Sequence, residues 1–346
     1  MRYECIALPT ELPQQLIILY PILFFYTRFF DKIYLGDEKM FKYTLDNKRY
    51  HTFNYFLKNK FGCKVFKVPL DALASCPNKI NGGCIFCKDN SKANITNNEI
   101  DVLSQFKQEV KILNNKWPNG KHIAYLQTGS NTYMNINKFK NIVESLLKEK
   151  NVVGLSIATR PDVISDEYYN YFNELNKKTF LMIELGLQSS NDKTLKLINR
   201  GHNALDFEKS VKKLHELNIF VVAHIINGLP YETKSDMLNT VKFLNNLNID
   251  AIKIHMLHIL KGTSLEALYK KEKFHILTKE EYIDIVICQL ELLNEKTIIE
   301  RITGDPIKED LITPTWLIKK FCLLNDIDKE MVKRDTYQGK KIISAN

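Results

Sequence analysis

The sequence predicts an α/β fold of repeated strand–helix units, and three features carry this prediction. Short, nearly continuous apolar runs alternate with longer stretches whose apolar residues recur at helical spacing. Apolar runs without polar alternation are typical of parallel strands that are covered on both faces. From the second strand onward, successive strands lie about 30 residues apart, which is the length of one βα unit. Six such units predict either a (β/α) barrel, complete or partial, or a doubly wound sheet.

The predicted elements follow one another in a regular order along the chain. The six strands are 64–70, 122–127, 152–159, 180–188, 219–227 and 251–259. The helices between them include 98–116, 136–150, 204–218 and 234–248. No G-x-G-x-x-G sequence opens the first helix, which disfavours a dinucleotide-binding sheet.

The pattern changes after residue 260. A long helix, a further strand and a second helix are predicted at 277–295, 297–304 and 313–325. No Gly/Ser-rich linker or low-complexity tract separates this part from the preceding units. We therefore predict an N-terminal extension over 1–39, a core barrel over 40–262 and a C-terminal extension over 263–346 that packs on the barrel.

Composition and charge are those of an ordinary globular protein. Hydrophobic residues make up 45% of the 346 residues, so a core of normal size fits within the chain. Lys and Arg outnumber Asp and Glu by 49 to 40, a net charge of +9. This excess suits an anionic partner such as RNA, and it also fits a lysine-rich solvated surface. The chain has seven cysteines, an odd number, and only three of them lie close together in sequence. This pattern argues against a secreted protein held together by disulfides and favours a metal site in the reducing cytoplasm.

An apolar segment near the start, 16–26, has the sequence LIILYPILFFY. It is about half as long as the ~20 residues that span a bilayer, and Pro21 interrupts it. Glu4 and Glu11 lie where a signal peptide would carry basic residues. A membrane-touching segment, a packed N-terminal helix and an extension in front of the native start are the three interpretations. We favour the extension, because Met40 opens the polar stretch MFKYTLDNKRYHTF.

The most specific functional motif is the cysteine loop CPNKINGGCIFC, which follows the first predicted strand. Cys76, Cys84 and Cys87 have the spacing C-x7-C-x2-C, and Gly82 and Gly83 allow a tight backbone. A zinc finger would supply four Cys or His ligands in two pairs, and no second pair follows. Three thiolates suit a catalytic metal centre, such as an iron–sulfur cube that leaves one iron free for a small molecule. Structural zinc and ordinary loop cysteines are the alternatives.

With these cysteines the sequence resembles the radical S-adenosylmethionine (SAM) enzymes. In that family, three cysteines after the first strand hold a [4Fe–4S] cluster, and SAM binds the fourth iron. Cys84 to Cys87 match the family's C-x-aromatic-C, whereas a gap of seven residues after Cys76 replaces the usual three. The longer gap is typical of the YhcC/YtqA-like branch, which is related to the Elongator catalytic subunit. The motifs YLQTGSNTY, ATRPD, ELGLQSS, NRGH and NGLPYET also match.

The resemblance implies a partial (β/α)6 TIM-like barrel with a C-terminal α/β extension, and it assigns cofactor roles to residues at the strand ends. Ligands of barrel enzymes bind at the carboxyl ends of the strands, which agrees with these positions. The implied cluster ligands are Cys76, Cys84 and Cys87. The implied SAM-binding residues are Phe86, Gln127, Thr128, Thr159, Arg160, Glu184, Gln188, Arg200, His224 and Gly228.

Particular contacts follow from the family pattern. Arg200 would hold the carboxylate of SAM with its planar fork, and a charge at a helix C-terminus is the alternative. Arg160 would lie near an anionic group, with a salt bridge on the rim as the alternative. His224 stands where related enzymes often have an acidic residue, so a core histidine is the alternative there. A buried Glu184 without a partner would be costly, so we expect a ligand or a cation beside it.

The resemblance also implies a function. The enzyme would cleave SAM reductively at the cluster and generate a 5′-deoxyadenosyl radical. The branch favours a tRNA substrate, with remodelling of a 5-carboxymethylaminomethyl group toward aminomethyl on the wobble uridine. We expect a cytoplasmic location, an electron donor such as flavodoxin or ferredoxin, and no stable membrane insertion. A radical SAM enzyme acting on a small metabolite, or a non-catalytic iron–sulfur or zinc binding protein, is the alternative.

A tRNA substrate would also require a basic surface. Because phosphate contacts come from Lys and Arg, we expect a basic rim around the barrel opening that holds Arg160, Arg200 and Lys261. A small-metabolite enzyme would instead need a closed, narrow opening.

The interpretation of residues 1–39 can be tested by truncation. A variant that begins at Met40 should fold and bind the cluster as well as the full chain, because the cysteine loop and all predicted strands lie beyond that point. Thermal melting and the iron content after reconstitution measure the two properties. A large loss of solubility or stability would show instead that the segment 16–26 belongs to the core or acts as an anchor.

Overall fold

The computed structural model of the chain describes residues 41–88 and 101–342. Its centre is a parallel sheet of seven strands that follow one another in chain order. Because every neighbouring pair is parallel, the carboxyl ends of these strands meet at one end of the sheet. The nine strands are β1 (Val65–Leu70), β2 (Lys121–Leu126), β3 (Val152–Thr159), β4 (Phe180–Gln188), β5 (Phe220–Asn227), β6 (Ala251–Met256), β7 (Ile259–Leu260), β8 (Ile298–Arg301) and β9 (Leu311–Thr313) within the described ranges. The strands β7 and β9 form a separate antiparallel pair.

Helices cover the sheet, and most of them bury one apolar side, whereas α9 is buried on several sides. They are α1 (Phe53–Phe61), α2 (Val102–Lys116), α3 (Ile136–Leu147), α4 (Asp166–Asn176), α5 (Asp192–Leu197), α6 (Ala204–Glu216), α7 (Lys234–Asn246), α8 (Ser264–Lys271), α9 (Lys279–Leu292) and α10 (Lys320–Lys333). In α3, Ile136, Phe139, Val143 and Leu146 recur at helical spacing and are buried. Reciprocal capping boxes start α6, α7 and α9.

The sheet curls into a half-barrel whose two edge strands approach each other. Helix α1 contacts both edge strands, β1 and β8. Inside the curl, Lys67 of β1 forms an ion pair of 2.6 Å with Glu300 of β8. The inward face of the sheet therefore encloses an interior space that side chains from all seven strands can reach.

Aromatic side chains close the amino-terminal end of the sheet. The ring of Phe56 on α1 lies 5.9 Å from Phe180 and 5.3 Å from Phe220, which begin β4 and β5. Phe61 also contacts Phe180, at 5.9 Å. These rings fill the space between α1 and the first residues of β4 and β5.

The C-terminal part of the chain is joined to the core by a buried amide pair. Helix α9 packs against α7. Asn227 on β5 and Gln289 on α9 exchange two hydrogen bonds of 2.8 Å, and both side chains are fully buried. Gln289 also donates to the carbonyl of Met237 at 3.1 Å. Both amides are therefore satisfied without solvent.

The structure confirms the predicted fold class and adds one strand to it. Five of the six predicted strands are present with small shifts at their ends, and the sixth, predicted over 251–259, ends at Met256, while Ile259 belongs to β7. The strand predicted at 297–304 is also present, but as β8 it joins the main sheet beside β6. Hydrophobic periodicity predicts that a strand exists, whereas its neighbour is decided by tertiary packing. The predictions for residues 1–39 lie outside the described part, and none of the described helices is both long and apolar enough to cross a membrane.

The amide pair predicts a loss of stability that a second change partly restores. Replacing Gln289 with Leu leaves Asn227 buried without its partner, so the free energy of unfolding should fall by about 1–3 kcal/mol. Replacing Asn227 with Leu as well removes the unsatisfied amide, so the double variant should regain part of that loss. Urea unfolding of Gln289→Leu, Asn227→Leu and the double variant measures this coupling. Losses that simply add would contradict it.

Candidate active site

The cysteine loop leaves the carboxyl end of β1 and folds back on itself. A short 3-10 helix, Pro77–Asn81, starts directly after Cys76, and Gly82 ends it with a left-handed φ of 83°. The amide of Cys87 donates to the carbonyl of Cys84 at 2.9 Å. Cys84 is buried, Cys76 is partly buried and Cys87 is exposed. One short loop thus carries the three thiols from the interior to the surface.

The NRGH segment, residues 199–202, holds the cysteine loop in place. The Asn199 side chain donates to the carbonyls of Asn81 and Gly83 at 2.8 and 2.7 Å. In return, the Asn78 side chain donates to the Asn199 carbonyl at 2.6 Å. The two segments therefore form one hydrogen-bonded unit, although more than a hundred residues separate them in sequence.

Arg200 is the cation beside the buried cysteine. Its Nη1 lies 3.6 Å from the Cys84 sulfur, and its Nη2 donates to the Gly186 carbonyl at 2.6 Å. Arg160 supports it, because Arg160 Nη1 donates to the Arg200 carbonyl at 2.8 Å while Nε and Nη2 bind Asp162. Arg200 Nε is buried and has no partner in the described structure. A buried N–H without an acceptor points to a ligand at this position.

The surroundings of Cys84 favour a thiolate. A hydrogen bond with Cys87 and the charges of Arg200 and Arg160 lower the pKa of the Cys84 thiol to about 5, against the opposing effect of burial. The Asn78 side chain adds an N–H donor 3.5 Å from the same sulfur. Because the thiolate is the form that binds metals, this environment fits the iron–sulfur cluster that the resemblance implies.

Within residues 41–88 and 101–342, no three His, Cys, Asp or Glu side chains converge so as to hold a single metal ion. A structural zinc site requires such convergence. In an iron–sulfur cube held by three cysteines, each sulfur binds a different iron, so the three sulfurs need not meet at one point. The finding therefore concerns single-ion sites only.

Polar residues at the ends of β2 and β3 lie at the same end of the sheet. The Thr159 hydroxyl is 2.6 Å from the Thr132 hydroxyl, which fixes both. Gln127 is exposed. The Thr128 hydroxyl is buried and, among the described residues, has no partner. Thr128 is therefore the member of this group whose hydroxyl a bound ligand would satisfy.

Gln188, Gly228 and Phe86 belong to the ends of β4 and β5 and to the cysteine loop. Gln188 ends β4 with a φ of 76°, which is unusual for a residue other than glycine and is common at ligand sites. Gly228 has a φ of 82°, and a Cβ there would lie 3.0 Å from Leu277. Phe86 packs in the same apolar cluster as Leu229. The aromatic residue of the cysteine motif therefore packs against an apolar cluster that includes a residue of the turn after β5.

Glu184 lies in the barrel interior and is satisfied by the protein itself. It is 1% exposed. Five side chains donate hydrogen bonds to it, Lys67, Tyr125 (2.9 Å), Ser156, His224 (Nε2, 2.6 Å) and Lys253 (2.5 Å). Burial alone would raise the pKa of Glu184, but Lys253 and Lys67 lower that pKa well below its usual range. The cation expected beside Glu184 is therefore present, and the role of Glu184 in SAM binding stays a prediction.

These partners form one polar layer across the sheet. Glu300 binds Lys67 at 2.6 Å and Lys253 at 3.2 Å, so two carboxylates and two ammonium groups compensate each other. Each strand of the main sheet supplies one member, which are Lys67, Tyr125, Ser156, Glu184, His224, Lys253 and Glu300. We refer to these seven residues as the Glu184 layer. Buried charges are tolerated when each has a partner, and here the partners come from different strands.

Lys67 and Lys253 are absent from the residues that the motifs single out, and Tyr125 opens the YLQTGSNTY motif without a role assigned to it. A signal for the two lysines exists, because each is the only lysine, arginine or acidic residue within its strand, VFKVPL and AIKIHM. A charge in such a strand must find a buried partner or leave the sheet. The sequence does not show which partner, because that depends on strands that are distant along the chain.

The prediction that Arg160, Arg200 and Lys261 form an exposed basic rim is wrong for the two arginines. Arg160 and Arg200 are 4% and 7% exposed, and their guanidinium groups bind Asp162 and the carbonyl groups described above. Lys261 is exposed, and its Nζ donates to the carbonyl of Glu309 at 2.8 Å. Motif position predicts nearness to the opening, but it does not distinguish a surface arginine from a buried one.

Comparison with known proteins decides the family. Residues 75–244 match the Radical SAM superfamily, and residues 249–333 match the Radical_SAM C-terminal domain. The uncharacterized protein YtqA of Bacillus subtilis is 42% identical over 305 residues, which cover 87% of this chain and 95% of YtqA. The chain belongs to the radical SAM superfamily. It is a radical SAM enzyme, and this family implies a [4Fe–4S] cluster and SAM as cofactors.

Other radical SAM relatives differ in how much of their length is shared. Protein YhcC of Escherichia coli K12 is 27% identical over 278 residues, 79% of this chain and 89% of YhcC. A tRNA uridine(34) acetyltransferase of Methanocaldococcus infernus is 30% identical over 137 residues, 39% of this chain. The match spans only 25% of that enzyme.

The half-barrel has a counterpart among solved structures. An archaeal Elp3 of Methanocaldococcus infernus with an N-terminal deletion superposes with a TM-score of 0.61 and 18% sequence identity. The superposition covers 79% of this chain and 64% of that chain. At this level of identity, the likeness concerns the fold alone.

Single cysteine replacements test the assignment of the radical SAM loop. Replacing Cys76, Cys84 or Cys87 with Ala should abolish cluster binding and SAM cleavage, because each removes one of three thiolates. Replacing Cys288 with Ala, a partly buried cysteine on α9, should leave both unchanged and serves as the control. Iron and sulfide content after anaerobic reconstitution measures cluster binding. A full [4Fe–4S] complement in the Cys84 variant would show that the assignment is wrong.

Proposed function

We propose that this radical SAM enzyme holds a [4Fe–4S] cluster at Cys76, Cys84 and Cys87 and modifies the side chain of the wobble uridine in tRNA. The observation that supports the cluster site is the buried Arg200 guanidinium next to the Cys84 sulfur, at the carboxyl end of a parallel half-barrel. When bound, the cluster supplies the electron that cleaves SAM to methionine and a 5′-deoxyadenosyl radical.

The residues around the loop would bind and orient SAM. Arg200 is held by the Cys84 sulfur and the Gly186 carbonyl, so its guanidinium is fixed in direction, and we assign it to the carboxylate of SAM. Arg200 Nε and the Thr128 hydroxyl are buried without a partner among the described residues, and we assign both to polar groups of the bound ligand. Phe86 and the turn at Gly228 offer an apolar surface to the adenine.

A tRNA substrate is supported by the relatives and by charge. The tRNA uridine(34) acetyltransferase shares part of this chain's sequence, and its name places its action on the wobble uridine. The net charge of +9 suits a polyanion. Because Arg160 and Arg200 are buried, the phosphate contacts would come from other Lys and Arg side chains. The modification that we propose is the remodelling of a 5-carboxymethylaminomethyl group toward aminomethyl.

The reaction also requires a reductant and a compartment that keeps the cluster intact. We propose flavodoxin or ferredoxin as the electron donor, since each transfers single electrons at low potential. The reducing cytoplasm holds both such donors and tRNA, and we place the activity there.

Nucleoside analysis of a deletion strain tests the tRNA substrate. Mass spectrometry of digested tRNA should show the wobble uridine with its 5-carboxymethylaminomethyl group retained and the aminomethyl-derived nucleosides lost. A plasmid copy of the wild-type gene should restore them, and a copy with Cys84→Ala should not. An unchanged nucleoside profile would contradict a role in tRNA modification.

The salt dependence of binding tests the same proposal with purified protein. Each phosphate contact releases counterions, so tRNA affinity should fall at least about tenfold between roughly 50 and 200 mM salt. Filter binding or anisotropy with labelled tRNA measures the slope. Binding that is insensitive to salt would point away from a polyanionic substrate.

A further inference from the structure

Two neighbouring histidines lie in the barrel interior, His224 within the Glu184 layer and His255 beside it. His224 on β5 and His255 on β6 have ring centroids 5.5 Å apart. His224 is paired with Lys253 in the sheet, and His255 lies two residues further toward the carboxyl end of β6. Residues two apart on a strand project from the same face, so His255 faces inward like Lys253. His224 is therefore level with Lys253, and His255 lies between the charged groups and the carboxyl end, where the cysteine loop is.

The bond to Glu184 fixes the tautomer of His224. Glu184 is held between Lys67 and Lys253 and is ionised, so its oxygens only accept hydrogen bonds. His224 Nε2 lies 2.6 Å from Glu184 Oε2 and must therefore carry the hydrogen. Nδ1 of the neutral ring then holds a lone pair. A carboxylate that orients an imidazole in this way is a common device for presenting the other ring nitrogen to a ligand.

The acceptor nitrogens of this pair are not used by the protein. Neither His224 Nδ1 nor any nitrogen of His255 has a hydrogen-bond partner in the part of the chain that the structure describes. Neither residue contributes a buried unpartnered nitrogen, so these atoms reach accessible space. Burial lowers the pKa of both histidines, aided by Lys253 at His224 and by His224 at His255. The pair is thus neutral and presents acceptors.

The pair is adjacent to the cofactor side of the interior. His224 is the sheet partner of Gly186 on β4. A Cβ on Gly186 would lie 2.6 Å from Arg200 Nη2, so the guanidinium that contacts Cys84 fills the interior at this level of β4. His224 therefore lies on the strand next to the one that accommodates this guanidinium, about 5 Å away, and His255 lies one strand further.

We propose that His224 Nδ1 and His255 accept hydrogen bonds from an N–H or O–H group of the substrate and thereby place the neighbouring C–H bond in front of the cofactor. This assigns His224 to the substrate, whereas the family pattern assigns it to SAM. The inference rests on the proposed function, in which the side chain of the modified uridine carries an N–H group. Glu184 is a positioning residue here, because it acts through His224.

Two substitutions at His224 separate its two nitrogens. The amide of His224→Gln occupies the place of Nε2 and can still donate to Glu184, but it leaves nothing at Nδ1. His224→Asn instead places a polar group near Nδ1 and loses the bond to Glu184. His255→Phe removes the second acceptor and keeps a planar ring. The probe is unfractionated tRNA from a strain that lacks this gene.

The informative readouts are coupling and SAM affinity. Coupling is the amount of modified nucleoside formed per 5′-deoxyadenosine released. It should fall at least about tenfold in His224→Gln and in His255→Phe, and less in His224→Asn, since one lost hydrogen bond amounts to about a factor of ten. The dissociation constant of SAM, measured by equilibrium dialysis, should stay within about threefold of the wild type in His224→Gln.

Three results would overturn the inference. A tenfold weaker SAM affinity in His224→Gln would make His224 a SAM ligand, and unchanged coupling would remove it from the substrate site. If the wild-type enzyme itself forms no product from this tRNA, the proposed function fails. The inference about His224 is then decided by which of its two ring nitrogens carries the hydrogen. Nitrogen-15 NMR of the imidazole, assigned by its loss in His224→Gln, must show Nε2–H. An Nδ1–H tautomer would overturn the inference, and an Nε2–H tautomer supports it.

Discussion

The Glu184 carboxylate is buried among seven strands, where an unpaired charge would cost several kcal/mol. Its charge is matched by Lys67 from the first strand and Lys253 from the sixth. Glu300 from β8, the last strand of the main sheet, then balances the second positive charge. These pairings are possible only when the sheet is curled so that its edges meet around the interior. The curling of the sheet therefore also brings together the side chains that compensate the buried charges of its interior.

The chemistry at the carboxyl end builds on this fixed interior. Two residues beyond Glu184, Gly186 leaves room for the Arg200 guanidinium, which contacts the sulfur of Cys84. The NRGH segment that carries Arg200 also binds the backbone of the cysteine loop. A segment between two helices in the middle of the chain thus holds the cysteine loop, which comes much earlier in the sequence. This arrangement explains why a radical SAM enzyme can place three cysteines on a loop with a longer first gap and still orient them.

The sequence predicts much of this, and the limits have physical causes. Apolar periodicity identifies the strands because a parallel strand buried on both faces leaves a continuous run, and cysteine spacing identifies the loop because few other sites need three thiolates. The sequence predicts that β8 is a strand, but it does not predict that β8 pairs with β6. It likewise shows that Lys67 and Lys253 are charged residues within apolar strands, but not that both bind Glu184. Both outcomes depend on contacts between distant segments. The same limit affects Arg160 and Arg200. Their motifs predict that they lie near the opening, but not that their side chains are buried.

Denaturant unfolding of Glu184→Gln tests the central claim, that a fully paired interior charge holds the strands together. Gln keeps the shape of the side chain but leaves Lys67 and Lys253 without their carboxylate. The free energy of unfolding should fall by about 3–5 kcal/mol. The control is Glu208→Gln, which removes one partner of the exposed pair with Lys212 and should change stability by only about 0–1 kcal/mol. A loss at Glu184 no larger than that of the control would contradict the account.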